Sequence, residues 1–264
     1  MAKKNGGQKP TMGASRAKKG IYIAICAVAT LVLAFCIYKV IDIQLNYGVG
    51  KSEYDDMQSD VTATKKEENG TSYLEVDHEA LRKVNDWYIG WIEIEKTAIS
   101  YPMIKYSDNE YFLRRTFEGN SYLGGVIFAD YRSAEGFKGG NTVIYGHHMM
   151  DGTMFHDLSL FVKEGEEFFE NHKEVRIYID NKVLTYKIFS VFQTDVLDDC
   201  YQMHFTDRAQ YDGWLANMAV KSCVDTDYDA TGSTRIITLS TCTNAQKNTR
   251  YVVMAALSQE DEIS

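Results

Sequence analysis

The feature that most constrains this chain is a run of 18 residues, Ile21 to Tyr38, without a charge, a proline or a glycine. As a helix, a run of this length spans about 27 Å, close to the thickness of the hydrocarbon core of a bilayer. A buried core helix and a cleaved signal peptide are the alternatives. Core helices are rarely apolar all round, and no small-residue cleavage site clearly follows the run. We therefore predict an uncleaved transmembrane anchor over residues 21–41.

Charge is distributed unevenly around the anchor. Residues 1–19 carry six basic side chains and no acidic one, although the whole chain has a formal net charge of −9. The positive-inside rule therefore predicts a basic cytoplasmic tail over residues 1–20 and an extracellular domain after the anchor. This describes a single-pass protein of the cell membrane. The acidic body argues against nucleic-acid binding.

Two polar segments bound the predicted external domain. Residues 42–76 are mixed in charge and weakly periodic, which predicts an extracytoplasmic linker, and residues 259–264 form an acidic C-terminal tail. Asp77 or a neighbour can cap a short helix at the start of the domain. Three apolar residues of that helix lie at helical spacing: Leu81, Val84 and Trp87.

Between these segments, short apolar or alternating runs predict strands, with Asp180, Asn181 and Lys182 as one connecting turn. Helical stretches near residues 157–170 and 207–223 interrupt the strands. About eight strands with few helices predict a mainly β fold, a closed or nearly closed barrel over residues 77–258. The runs lie at 92–95, 124–130, 141–146, 175–179, 183–192, 234–240 and 250–257.

Three cysteines lie outside the predicted anchor: Cys200, Cys223 and Cys242. An odd number cannot pair completely within one extracellular domain, so we expect at least one free thiol. Their spacing resembles neither a zinc ribbon nor a redox CxxC motif. Cys200 and Cys223 are expected to be inert packing residues, with a disulfide between them as the alternative.

Reactive side chains concentrate where strands give way to loops. Seven polar or small residues separate Cys242 from Arg250, which predicts a hairpin with the two side by side. The guanidinium would stabilise a thiolate and could bind the oxyanion formed when that sulfur attacks a carbonyl. His147 or His148, at the end of an earlier strand, could supply the base. Together these groups suffice for acyl transfer.

Interpretations of the same residues without a catalytic role stay open at this point. A lone cysteine is often a small buried hydrophobe, and a histidine beside a glycine is usually a satisfied packing residue. His147, His148 and His156 could also suggest a metal site. Because consecutive residues of a strand point to opposite faces, His147 and His148 do not easily share one ion, and we expect no metal.

The ordered motifs resemble those of the sortases, membrane-anchored cysteine transpeptidases of Gram-positive bacteria. TLSTC (238–242) ends one strand, Arg250 opens the next, and YGHHM (145–149) ends an earlier strand. Three further stretches read like class B sortases, and the likeness covers about residues 78–258. They are GWIEIEKTAISYPMI (90–104), NEYFLRRTFEGNSYLGGVIFAD (109–130) and MFHDLSLF (154–161).

The resemblance implies a closed eight-stranded sortase-type barrel with an N-terminal helix and a helical insertion before the penultimate strand. It also implies that Cys242 is the nucleophile, His147 rather than His148 the general acid and base, and Arg250 the oxyanion or substrate ligand. Thr241 is a candidate for oxyanion support. The implied partners are secreted proteins with a C-terminal sorting signal of the LPXTG, NPQTN or SPKTG kind and an amine of peptidoglycan or its lipid-linked precursor. No cofactor or metal is implied.

Two alternative functions use the same residues. A thiol peptidase or amidase would resolve the thioester with water instead of an amine. A sortase-like barrel could also bind wall peptides without turnover, although the intact set of Cys242, His147 and Arg250 argues against that reading.

Overall fold

The chain divides into two compact units, Met1–Asn46 and Tyr47–Ser264. The computed structural model describes residues 12–62, 65–68, 71–243 and 248–263. The first unit holds most of helix α1 (Met12–Thr62), whose apolar side chains from Ile21 to Leu45 are exposed all round. Such a surface suits lipid and not water. The helix is long and apolar enough to cross a membrane, as predicted.

The predicted linker over residues 42–76 is wrong in its first part, because helix α1 continues to Thr62. Residues 47–62 of α1 belong to the second unit, where the side chain of Tyr54 is buried. Its hydroxyl donates to the carbonyl of Gly125 (2.9 Å) and accepts from the amide of Phe117 (3.1 Å). A single aromatic residue makes this contact with distant parts of the chain. The local sequence pattern therefore gave no sign of it.

A hairpin of strands β1 (Lys65–Glu68) and β2 (Thr71–Leu74) also occupies the predicted linker. Eight further strands close into a barrel, in the order β10, β8, β7, β3, β4, β5, β6, β9. The predicted eight-stranded barrel is thus confirmed. The barrel strands are β3 (Tyr88–Glu93), β4 (Ser100–Ile104), β5 (Ile127–Ala129), β6 (Asn141–Tyr145), β7 (Glu174–Ile179), β8 (Lys182–Asp195), β9 (Ile236–Cys242) and β10 (Thr249–Glu262).

Two parallel pairings, β4 with β5 and β6 with β9, connect parts of the chain that are far apart in sequence. The other neighbours in the barrel are antiparallel. The predicted turn between β7 and β8 is present, with Asp180 at a φ of 49°. Side chains on the inner faces form the main core, which includes Ile92, Met103, Ile144, Ile177, Leu184, Leu239 and Val253.

The short helices largely follow the sequence. Helix α2 (His78–Val84) starts at Asp77, whose carboxylate accepts from the amide of Ala80 (2.8 Å). The predicted apolar face is wrong, because α2 ends before Trp87, and Val84 and Trp87 are 52% and 47% exposed. The packing of α2 places His78 inside instead.

The predicted helix near 157–170 is two helices, α3 (Leu158–Lys163) and α4 (Glu166–Asn171). Gly165, at a φ of 64°, breaks them apart in a conformation that other residues rarely adopt. The predicted insertion before the penultimate strand is confirmed as α5 (Arg208–Val220), capped by the carboxylate of Asp207.

The C-terminal boundary also moves. Strand β10 runs to Glu262, so residues 259–262 are paired with β8 and do not form a separate tail. Glu260 forms ion pairs of 2.8 Å with both Lys182 and Arg235. An acidic stretch can thus continue a strand when basic side chains lie within reach of its carboxylates.

Candidate active site

The antiparallel pairing of β9 and β10 sets Cys242 directly opposite Arg250. The amide of Thr243 donates to the carbonyl of Thr249 (3.1 Å), which closes the ladder before the connection. Residues 244–247 of that connection lie outside the described residues. Because paired residues share a face of the sheet, the thiol and the guanidinium project to the same side. The predicted adjacency of these two residues is confirmed.

Strand β6 brings the histidine motif to the same place. It runs parallel to β9, with Tyr145 beside Ser240, and the amide of Gly146 donates to the Ser240 carbonyl (3.2 Å). A Cβ atom on Gly146 would lie 2.5 Å from the Ile127 side chain and 2.6 Å from that of Phe155. Only glycine fits there, so the chain passes close to the barrel wall.

Cys242, His147 and Arg250 line one cavity of about 200 Å³, hereafter the Cys242 cavity. All three side chains are half-buried. A rigid strand ladder therefore holds a thiol, an imidazole and a guanidinium around one space that is open to a ligand. The rest of its lining is Asn109, Leu113, Phe128, Tyr145, Gly146, Ser240 and Thr241.

The imidazole of His147 has a defined tautomer. Its Nε2 lies 2.8 Å from the carbonyl oxygen of Leu113, which can only accept, so Nε2 carries the proton. Burial lowers the pKa of His147; the bond to Leu113 opposes this shift, and nearby Arg114 adds to it. The ring is therefore held neutral, and its Nδ1 atom is available as a base.

His148 lies apart from this cavity, next in the chain but on the other face. Its ring centroid is 4.5 Å from that of His156 and 6.1 Å from that of Tyr251. The two neighbouring histidines thus have different surroundings, as the sequence predicted, although both follow the last residue of β6. Among the residues that the structure describes, no group of three His, Cys, Asp or Glu side chains could hold a metal ion.

Thr241 lines the cavity, but its side chain is 1% exposed. Its hydroxyl oxygen is buried and has no hydrogen-bond partner among the described residues. The oxygen is therefore not exposed to the cavity in this structure. Cys200 and Cys223 are free thiols, buried and exposed respectively, and are not paired with each other.

Several wall residues were not among the sequence candidates. Tyr145 was available from alternation, since it lies two positions before His147 and so shares its face. Leu113 lies in a 3₁₀ helix (Tyr111–Arg114) and Asn109 just before it, both within the family-like stretch 109–130, but neither carries a reactive group that would have marked it as a site residue. Only the fold brings that segment to the cavity.

Comparisons with known proteins agree with this arrangement. A family model described as the sortase domain matches residues 92–258. This chain belongs to the sortase family. Among curated relatives, the sortase is similar to sortase B of Staphylococcus aureus, with 29% identity over 248 residues. The match covers 92% of this chain and 98% of that relative.

Solved structures extend the likeness to the fold. Sortase B from B. anthracis, in complex with AAEK1, has a TM-score of 0.70 and 30% identity, covering 82% of this chain and 100% of the other. A Staphylococcus aureus sortase B-substrate complex has a TM-score of 0.64 and 31% identity, covering 70% and 85%. The sortase is thus of class B, a cysteine transpeptidase that anchors proteins to the cell wall. The predicted family, class and enzyme type are confirmed.

Proposed function

We propose that this sortase cleaves a C-terminal sorting signal of the LPXTG, NPQTN or SPKTG type after its threonine. The released carboxyl group is held as a thioester on Cys242 and is then transferred to an amine of peptidoglycan or its lipid-linked precursor. The single observation that carries the proposal is the meeting of Cys242, His147 and Arg250 in one cavity.

The first half of the reaction forms the thioester. Nδ1 of neutral His147 takes the proton of the Cys242 thiol, and the sulfur attacks the carbonyl carbon of the threonine. The guanidinium of Arg250 hydrogen-bonds the resulting oxyanion. The C–N bond then breaks, and the imidazolium gives its proton to the departing amine.

The second half transfers the acyl group. The acceptor amine attacks the thioester carbonyl and loses a proton to His147, and the C–S bond breaks as the thiol is restored. Arg250 binds the second oxyanion as it bound the first. We assign Thr241, which lines the cavity next to Cys242, a supporting role in binding the oxyanion. The energy of the peptide bond is kept in the thioester, so no cofactor or metal is needed.

The location follows from helix α1. We propose that residues 21–41 anchor the enzyme in the cell membrane, with residues 1–20 in the cytoplasm and the barrel outside. The basic flank before the apolar run supports this orientation. An anchored enzyme of this kind works where secreted substrates and wall precursors meet.

The test uses the full-length protein in detergent and a Cys242→Ala control. Both are incubated with LPXTG, NPQTN and SPKTG peptides, with and without diaminopimelate or a glycine peptide, and followed by intact-mass spectrometry. We expect a thioester adduct on the wild type only, cleavage after threonine, and a ligated product when amine is present. Hydrolysis unaffected by amine would instead support a thiol peptidase. No reaction with any peptide would contradict the proposal.

A further inference from the structure

Asp130 is a buried carboxylate immediately behind the wall of the Cys242 cavity. It follows strand β5, and its side chain is fully buried. Ionised carboxylates are strongly disfavoured in a protein interior unless charged and hydrogen-bonding partners surround them. The reaction steps above make no use of this group, so its retention inside the barrel requires another explanation.

The charge of Asp130 is balanced by Arg132. Nε and Nη2 of Arg132 each lie 2.8 Å from a different oxygen of the carboxylate, and the Arg132 amide donates to one of them (3.0 Å). Burial alone would raise the pKa of Asp130, but the hydrogen bonds from Arg132 and Asn109 outweigh it and hold that pKa below its usual range. The carboxylate is therefore ionised and only accepts hydrogen bonds.

Two further donors to Asp130 come from the wall of the Cys242 cavity. Nδ2 of Asn109 lies 2.9 Å from Oδ2 of Asp130, and the hydroxyl of Tyr145 lies 3.2 Å from the same atom. Both side chains line the cavity that holds Cys242. Because the carboxylate only accepts, it fixes the direction of both hydrogen bonds.

This direction determines what the wall offers to a ligand. The Tyr145 hydroxyl uses its proton on Asp130, so its oxygen has only lone pairs left. The Asn109 amide is held from both ends, because its Oδ1 accepts from the amide of Tyr131 (3.1 Å). One N–H of Asn109 is left to donate toward the cavity, where a peptide carbonyl is the complementary group.

A second cavity of about 490 Å³, hereafter the Arg132 cavity, adjoins the first. Arg132 and Tyr145 line it together with Arg250, and Tyr145 and Arg250 line both cavities. Asp130 therefore contacts side chains that border two adjoining cavities. A peptide bound across Cys242 would meet several groups that this one carboxylate orients.

We propose that Asp130 is a positioning residue for recognition of the peptide substrate. It locks Asn109 and Tyr145 in the orientations that bind the backbone of the sorting signal beside Cys242, and it holds Arg132 at the border of the adjoining cavity. The inference rests on the proposed function, since it assumes that the Cys242 cavity binds the peptide.

The test replaces the charge and keeps the shape. In full-length Asp130→Asn protein, the new amide competes as a donor, and Asn109 and Tyr145 lose their fixed orientation. Two net hydrogen bonds correspond to about a tenfold change in affinity. We expect KM for the sorting-signal peptide to rise about tenfold, kcat to change less than threefold, and the rate of Cys242 alkylation by iodoacetamide to stay unchanged.

Glu93 supplies a matched control. It is a buried carboxylate that accepts from the hydroxyl of Tyr178 (2.6 Å), and neither residue lines the Cys242 cavity. Glu93→Gln disturbs the same kind of buried pair elsewhere in the barrel. We expect a loss of thermal stability in this variant without a change in KM. An equal rise of KM in both variants would reduce the Asp130 effect to general destabilisation and overturn the inference.

A second set of variants keeps the test decisive if Asp130→Asn folds poorly. Tyr145→Phe removes one of the two donors to Asp130, and Asn109→Ser shortens the other. Each substitution by itself should raise KM. Combined with Asp130→Asn, Tyr145→Phe should add little, because groups that act through one partner are not additive. Full additivity, or a wild-type KM in Asp130→Asn, would overturn the role of Asp130 but leave the proposed function intact. A wild type that cleaves no peptide would overturn the proposed function and the recognition role with it.

Discussion

The two faces of the paired strands β9 and β10 differ in chemistry, although one short stretch of backbone carries both. One face presents Cys242 and Arg250, which are half-buried, and the other presents Thr241 and Tyr251, which are 1% and 9% exposed. Side-chain alternation along a strand produces this separation. A shift of the register by one residue would exchange the reactive and the packing set, so correct pairing is a condition for activity.

The histidines repeat the contrast. His147 lines the Cys242 cavity and donates to the Leu113 carbonyl, whereas His148 packs near His156 and Tyr251. Two identical side chains that are adjacent in the sequence thus acquire different surroundings. Position on the barrel, and not residue type, therefore separates a candidate base from a packing residue.

The largest effect on activity is expected at the two histidines. His147→Ala should lower kcat/KM about 10³-fold, because it removes the proposed acid and base. His148→Ala should lower it less than tenfold. Steady-state kinetics with a fluorogenic sorting-signal peptide measure both. If His148→Ala lost as much activity as His147→Ala, the assignment of roles by face would be wrong.

A smaller effect is expected at Arg250. Arg250→Lys keeps the positive charge but loses the planar fork of donors, and loss of an oxyanion ligand costs about 10²-fold in kcat. Tyr251→Phe, at the next position on the other face, is the matched control and should stay within threefold of wild type. An Arg250→Lys enzyme with wild-type kcat would remove Arg250 from the oxyanion role.

Alternation made part of this site predictable from the sequence. It separated His147 from His148, and the short polar connection between Cys242 and Arg250 predicted the hairpin that sets these two side by side. Alternation could not choose between the histidines, because a single strand does not specify its neighbour. That choice depends on the parallel pairing of β6 with β9, which joins residues about a hundred positions apart.

The predicted boundaries failed where long-range contacts outweigh local pattern. The polar segment 47–62 showed weak periodicity, yet Tyr54 buries its ring and bonds to Gly125 and Phe117. The acidic segment 259–262 looked like a tail, but it pairs with β8 as part of β10, and Glu260 forms ion pairs with Lys182 of β8 and with Arg235, just before β9. Asp130 was missed because its partners converge only in the folded barrel.

Thr241 tests the boundary between the two faces, with a smaller effect on activity. Its buried hydroxyl lacks a partner among the described residues, so Thr241→Val should raise the free energy of unfolding by about 1 kcal/mol. We expect kcat/KM to fall less than tenfold. Chemical denaturation and peptide kinetics measure the two quantities. A loss of about 100-fold would mean that the hydroxyl reaches the oxyanion during the reaction.

The smallest effect is expected from protonation of His148, whose ring lies near Tyr251 on the face of the β9–β10 pair opposite Cys242, hereafter the packing face. Burial lowers the pKa of His148, and His156 and Lys163 lower it further, while Asp157 opposes them. As the pH falls through about 6.5, the unfolded chain binds a proton that the folded state resists, so stability decreases, and above that pH the effect vanishes.

In His148→Gln this contribution is absent, so its melting temperature should fall less than that of the wild type between pH 7 and pH 5. Because His148 is only half-buried, solvent screens its charge, and we expect a difference below about 3 °C. Burial lowers the pKa of His78 to about 4. Its contribution to the pH dependence of stability is the same in both proteins and cancels in the difference. Melting temperatures are measured by circular dichroism. If the curves of melting temperature against pH were parallel for the two proteins, the packing face would tolerate the charge on His148. The contrast between the two faces would then lie in access to the cavity and not in electrostatics.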